Sequence, residues 1–292
     1  MLNYDSIYEL ITEANHASLP ISEIIFQDQV QQLESPPDQI YKEMLHRLQV
    51  MQHAVDAGVN PDLRSASGLT GGDGGRMFHY SKTGGICGSF FTGAITKAIA
   101  VAEYNASMGK IVAAPTAGSC GILPAAILSF MEKKHLSEKT AVMALFTAGG
   151  IGLVIAKNAT VSGAEGGCQA ECGSAAAMAA GALTEMAGGT PDMVAHACAI
   201  ALKNELGLVC DPVAGLVEVP CIKRNAAGVS IALMAAEMAL AGIKSKIPVD
   251  EVILSMKEVG ASIPCSLRET ALGGLASTPT GLKYKKEIFG TD

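Results

Sequence analysis

Tryptophan is absent from this chain of 292 residues, and aromatic side chains make up only 4% of it. The 49% hydrophobic fraction is therefore Ala, Val, Ile, Leu and Met for the most part. Charge is also scarce: Asp, Glu, Lys and Arg reach 17%, too few for a disordered chain and too few to coat a large monomer. Part of the surface is expected to be buried against partner chains. Positive charge is the scarcer sign, with 21 Lys and Arg against 28 Asp and Glu and a net charge of -7. Neutralising phosphates takes a clustered basic surface, so nucleic acid is not an expected partner. No basic segment precedes an apolar stretch in the opening MLNYDSIYELITEANHASLP, as a secretory leader requires. A cytoplasmic home with reduced thiols is the expectation.

One uncharged run, IVAAPTAGSCGILPAAILSFM at 111 to 131, has the length of a bilayer crossing. Pro115 and Pro124, with Gly118 and Gly121 between them, break the continuous helix that lipid demands. It reads as a buried loop entering a helix, and no membrane partner is expected. The apolar run from Ala141 to Ala156 reads as a core helix, with the pair Gly149 and Gly150 marking a point of weakness.

What is present is helical periodicity. Ser6 and Ser22 each open an amphipathic segment, and Pro36-Pro37 opens a third that ends at Gly58. A stretch rich in Gly and Ser follows from Asn60 to Gly88, far longer than a simple connection and of the kind that carries function. Beyond it lie Ala-rich segments, apolar on all sides, near 90 to 107, 121 to 134, 139 to 156, 170 to 187, 191 to 206 and 225 to 242. A helix apolar all round is a central helix. Thr190-Pro191-Asp192 carries an N-cap signature, and Gly207 stands where that helix should stop. The expected fold is all-α: one catalytic domain over 1 to 292, a bundle of Ala/Gly-rich central helices from 59 to 280 wrapped by the N-terminal helices of 1 to 58.

Eight cysteines, at 87, 120, 168, 172, 198, 210, 221 and 265, include no C-x2-C pair of the kind zinc sites favour. Three sit in Gly- or Pro-marked turns beside polar or ionic residues: Cys168 in SGAEGGCQAE, Cys210 in GLVCDPVAG and Cys221 in VEVPCIKRN. Cys198, within AHACAIALK, is expected in the core, and Cys87 and Cys265 are read as structural.

Over roughly 60 to 280 the chain resembles the α subunit of bacterial iron-sulfur L-serine dehydratases. The resemblance runs through APTAGSCGILPA, NATVSGAEGGCQAE, NELGLVCDPVAGLVEVPCIKRNA and RETALGGLA, in order and with matching spacing. It implies a 4Fe-4S cluster on Cys168, Cys210 and Cys221, one iron being left open as a Lewis acid for the hydroxyl of L-serine. It implies pyruvate and ammonia as products. Single-chain members of the family carry a further N-terminal half with a Ser-Ser-Ser-His-Thr motif that is missing here. A separate β subunit, and hence a hetero-oligomer, is therefore expected, together with oxygen sensitivity. A monovalent cation remains an open accessory.

The residues around the cysteines supply the remaining candidates. The turn from Pro115 to Gly121 precedes a helix, so its amides, with Thr116, Gly118 and the Ser119 hydroxyl, are placed to hold the substrate carboxylate. The family more often has PTNG here, and Ala117 removes that side-chain hydrogen bond. Ser65, Ser67 and Thr70 in RSASGLTGG offer hydroxyls to a small polar substrate, or cap turns. Asn158, Ser162 and Glu165 border the first cysteine, and Arg224 and Asp211 flank the others, to meet a substrate charge or form a structural ion pair. Substrate contact is assigned to Asn158, Ser162 and Arg224, and catalytic duty to Lys82, Ser119 and Glu165. Lys82, in HYSKTGG, is the one lysine whose context suits a Schiff base, but an all-helical pattern speaks against pyridoxal phosphate. None of the six histidines recommends itself as general base. A related cysteine desulfidase is the enzymatic alternative, and a zinc- or closed-cluster scaffold with Cys172 as fourth ligand is the non-enzymatic one.

Overall fold

Residues 4–290 are described by the computed structural model. The Ser6 hydroxyl accepts the Glu9 amide and starts α1 (Ile7–Ala17). α2 (Ile21–Gln32) begins after Pro20, one residue ahead of Ser22, and α3 (Pro37–Gly58) has Pro37 in its first turn, where a missing N–H costs nothing. The Gly-rich stretch is not all loop, because it contains α4 (Asp73–Ser81). The buried Glu103 carboxylate accepts the Asp73 and Gly74 amides there, supplying from a distance the cap that Gly72 lacks.

Next come α5 (Gly88–Ala106), α6 (Ile122–Lys134) and α7 (Glu138–Asn158). α7 runs unbroken through Gly149 and Gly150: a Cβ at 150 would lie 2.6 Å from Ile25 Cδ1, so that glycine lets α2 seat its isoleucine against the helix. By length and composition α7 could cross a membrane, yet 67% of its apolar window is buried within the protein, where it packs on α2 and α9. A short α8 (Gly163–Gly166) and a π-turn at Gln169–Gly173 lead into α9 (Ser174–Met186). α10 (Pro191–Glu205) has its expected Thr190 cap, accepting the Met193 amide, and stops before Gly207. α11 (Cys221–Leu240) begins at a cysteine. α12 (Val249–Ser262) and α13 (Pro279–Phe289) complete the chain; neither was singled out by the Ala-rich pattern, since both are amphipathic.

Among the described residues there is no β-strand, and the fold is all-α. α9 is its axis. Ala175, Ala176, Ala177, Ala179, Ala180 and Ala182 are all buried, and such short side chains let α6, α7, α10 and α11 approach from every side. Helices α1 to α3 lie outside this layer, against α10, α7 and α5. α3 meets α5 at Gly58, where a Cβ would stand 2.0 Å from the Ala100 carbonyl oxygen and 2.8 Å from its Cα. Backbone cannot yield there as a side chain would. Gly58→Ala is expected to cost on the order of 2 kcal/mol or more, read as a lower urea midpoint at unchanged slope.

Candidate functional site

Cys168, Cys210 and Cys221 come from three segments that converge at one end of α9. Gln169 secures the first: fully buried, its amide nitrogen donates to Gly166 and Met256 carbonyls and its oxygen accepts the Gly207 amide. The Gln169 amide donates to Leu208, drawing the Cys168 turn against the chain that leads into Cys210. Cys210 is pinned by an isolated bridge to Arg268, its N–H donating to Leu267 O and its carbonyl accepting the Glu269 N–H, both at 2.8 Å. Cys221 opens α11, on which Asn225 is fully buried one turn further along.

The three thiols are 2%, 3% and 8% exposed and act on one another electrostatically. Burial and then the neighbouring Cys168 push Cys221 up to about 12, against the pull of Arg224. Burial lifts Cys210 further still, with Cys168, Glu171 and Cys221 adding to it. Such thiols become thiolates only beside a positive centre. No group of three His, Cys, Asp or Glu side chains among the described residues is drawn tightly enough for a single metal ion. A cluster spreads its ligands over several metal atoms and needs wider spacing. Gly163 lets the segment ahead of Cys168 pack closely against them: a Cβ there would lie 3.1 Å from Cys210 Sγ and 2.8 Å from Glu171 Oε2. Three neighbouring thiols from three segments are a donor set of the kind that holds an iron-sulfur cluster.

Cys172 is in a different place. Its Sγ lies 3.4 Å from that of Cys168, and its other charged neighbours are Glu205 and Glu171, not Cys210 or Cys221. It sits behind the first thiol, fully enclosed. Cys198 donates to the Ala177 carbonyl in the core, and Cys120 is fully buried near the Val101 carbonyl. Cys87 and Cys265 are exposed.

Arg224 joins the three segments. Its guanidinium donates to Val209 O (2.8 Å) and Asp211 Oδ1 (2.9 Å) on either side of Cys210, and toward the Cys168 sulfur, from a position one turn after Cys221. Asp211 in turn accepts the Leu275 amide. This arrangement commits Arg224 to the thiols and their loop.

The turn from Pro115 to Gly121 lies alongside. Asn225 fastens it, donating to Gly118 O and Cys221 O and accepting the Gly121 amide. Thr116 and Ser119 share a hydrogen bond of 3.1 Å, and Thr116 also donates to Glu171. Burial, more than the Glu269 charge, raises the Glu171 carboxyl, with the Thr116 bond opposing. Glu171 and Asn225 escaped the sequence reading; the π-turn that aims Glu171 has no compositional signature.

The other candidates make hydrogen bonds and contacts of their own. Ser67 and Thr70 donate to the two oxygens of Glu218 (2.8 and 2.7 Å), and Ser65 accepts the Thr70 amide, so these hydroxyls tie the long loop to the segment ahead of Cys221. Asn158 donates to Asp5 O and Val154 O, linking α7 to the N-terminal region. Ser162 precedes α8 and its carbonyl accepts the Glu165 and Gly166 amides; exposed Glu165 accepts the Thr160 hydroxyl at 2.6 Å. Lys82 lies over the Phe78 ring on the exposed end of α4.

Glu205, behind Cys172, is lifted by burial to about 7, with Arg224 pulling the other way. Its folded pKa is above the ordinary 4.5, so the folded state holds the proton longer. Stability should fall as pH rises from about 4.5 to about 7, by up to roughly 3 kcal/mol, and level off above. Glu205→Gln is expected to flatten that slope in urea unfolding of the metal-free chain.

Fold and site together define an all-helical protein in which three buried cysteines meet beside a turn fastened by Asn225. Residues 16–276 match the family described as serine dehydratase alpha chain, and the chain belongs to that family. It is 49% identical over 288 residues to the probable L-serine dehydratase, alpha chain, of Bacillus subtilis (strain 168), covering 98% of this chain and 96% of that one. It is 44% identical over 282 residues to the L-serine dehydratase, alpha chain, of Peptoniphilus asaccharolyticus, covering 96% and 97%. L-serine dehydratase TdcG of Escherichia coli (strain K12) is 46% identical over 182 residues, 61% of this chain but only 40% of that longer one.

Proposed function

We propose that this chain is the alpha chain of an L-serine dehydratase, converting L-serine to pyruvate and ammonia in a reducing, cytoplasmic setting with a separate beta chain. Cys168, Cys210 and Cys221 hold its 4Fe-4S cluster in this reading. Their convergence from three segments, in a chain of this family, is the observation that carries it. When bound, such a cluster with one iron free of protein ligands supplies Lewis-acid chemistry for loss of the substrate hydroxyl.

The chain's own residues do the rest. Amides of the turn before α6, pointing from a helix N-terminus, take the substrate carboxylate, and Ser119 and Thr116 fix the shape of that turn. Asn225 holds the turn in register with Cys221, so substrate and leaving group are positioned by one rigid unit. Burial of the three thiols keeps bulk water off the cysteine sulfurs, while the turn beside them stays open to a small substrate. The group that accepts the α-proton is assigned to the beta chain, in keeping with the longer single-chain relative. Release of the enamine product, its tautomerisation to an imine and hydrolysis complete the reaction.

The test is anaerobic co-purification of alpha and beta chains, with iron and acid-labile sulfide determined and pyruvate formation followed with L-serine and L-cysteine in competition. About four iron and four sulfide per alpha chain, with serine the preferred substrate and a serine-induced change in the visible spectrum, is expected. Preference for cysteine with release of sulfide would favour the desulfidase instead. Cys172→Ser is expected to leave iron content and turnover unchanged, because that thiol lies behind Cys168. Loss of the cluster in that variant would restore the closed four-cysteine scaffold.

A further inference from the structure

Glu171 is the acidic side chain that shares its space with both the thiols and the anion-binding turn. The widened turn at Gln169–Gly173 carries it between them. From there its carboxylate accepts the Thr116 hydroxyl and faces Gly118 and Gly163. A Cβ at Gly118 would lie 3.3 Å from both of its oxygens, and one at Gly163 2.8 Å from Oε2 and 3.1 Å from Cys210 Sγ. Two glycines thus let the carboxylate pack directly between the turn and the segment ahead of Cys168, beside the Cys210 thiol.

This carboxylate lacks what a partly buried anion ordinarily has. Its electrostatic neighbours are Glu269 and the thiols of Cys172, Cys210 and Cys221. The nearby guanidinium, Arg224, is spent on Asp211, Val209 O and Cys168. No Lys, Arg or His forms an ion pair with Glu171 among the described residues. A buried anion left without a countercharge is costly, and a ligand that brings the cation relieves that cost.

Resting on the serine dehydratase reading, we infer that Glu171 is the substrate-binding residue that takes the α-ammonium of L-serine, and so selects an amino acid over the hydroxy acid of the same shape. L-serine carries three handles, and the other two have places in that reading: the carboxylate at the turn before α6 and the hydroxyl facing the cysteines. The ammonium then meets Glu171, which stands between that turn and the cysteines. Thr116 serves both ends, since its hydroxyl orients the Glu171 carboxylate while its backbone belongs to the turn. A site built to bind an N–H group discriminates strongly against analogues that lack it.

The experiment compares wild-type and Glu171→Gln alpha chains, each loaded with its cluster and paired with the beta chain. The variant is expected to keep its iron, sulfide and serine-free spectrum, while KM for L-serine rises at least about 100-fold and kcat changes much less. The serine concentration that shifts the visible spectrum should rise in parallel. Glycerate, which has the hydroxyl and carboxylate but no ammonium, should bind the variant at least as well as the wild type. Glu171→Asp should recover part of the serine affinity. Equal loss of serine and glycerate would overturn the inference and make Glu171 a support for the turn; a collapse of kcat at unchanged KM would overturn it in favour of proton transfer. Should Glu171→Gln fail to fold, the wild type alone decides, because glycerate binding as tightly as serine also overturns it. Failure of the underlying reading looks different, as the wild type itself would then make no pyruvate.

Discussion

On the proposed iron-sulfur reading, Cys210→Ser, purified without oxygen alongside a beta chain, is expected to lose iron and sulfide and to form pyruvate at least about 100-fold more slowly than the parent. A hydroxyl is a poor ligand for iron compared with a thiolate, and no neighbour is placed to compensate. The Cys210 backbone is held on both sides, by Leu267 O and the Glu269 amide, so the segment cannot slide another donor into position. Cys172, the nearest surplus thiol, lies on the far side of Cys168. Cys198→Ser serves as the control, since that thiol is spent on the Ala177 carbonyl in the core and its loss should leave the iron count alone. Retention of full iron by the Cys210 variant would mean that the cluster is held elsewhere.

Arg224→Gln carries the second largest expected effect, a cluster bound roughly 10- to 100-fold more weakly, seen as faster release of iron to a chelator. One guanidinium reaches the Cys210 loop at Val209 and Asp211 and touches Cys168, while its own helix begins at Cys221. Three cysteine-bearing segments depend on it. Arg224→Lys should rescue little, because an ammonium is a point charge and cannot reproduce a planar fork spanning two acceptors. Asp211→Asn should act in the same direction, and the double variant should cost less than the sum of the two. A variant with unchanged iron release but a raised KM for serine would return Arg224 to the substrate.

The helices were legible where the signal was local. Caps at Ser6 and Thr190 and the proline at the head of α3 fall where the sequence places them, because each rests on one side chain and the nearest turn. α4 was hidden because its cap comes from Glu103, some thirty residues away, and its first turn is glycine. The glycine pair in α7 suggested weakness for a sound reason, yet packing against Ile25 outweighed propensity. At the site, the cysteines were readable as words shared with a family. Their positioning groups were not: Asn225 and Gln169 look like ordinary helical amides until the fold shows which carbonyls they reach. Ser67 and Thr70 illustrate the converse, hydroxyls in a suggestive loop that the fold spends on Glu218.

The three hydrogen bonds of Asn225 bear on how molecules enter and leave. They weld the turn at Pro115–Gly121 to the head of α11, and the Ser67 and Thr70 bonds to Glu218 do the same for the long loop on the other flank. A floor fastened at both edges makes a poor door. On the proposed reading, traffic is therefore governed by the segment carrying Arg268 and Glu269, which bridges to Cys210, and turnover should respond to how tightly that segment is seated.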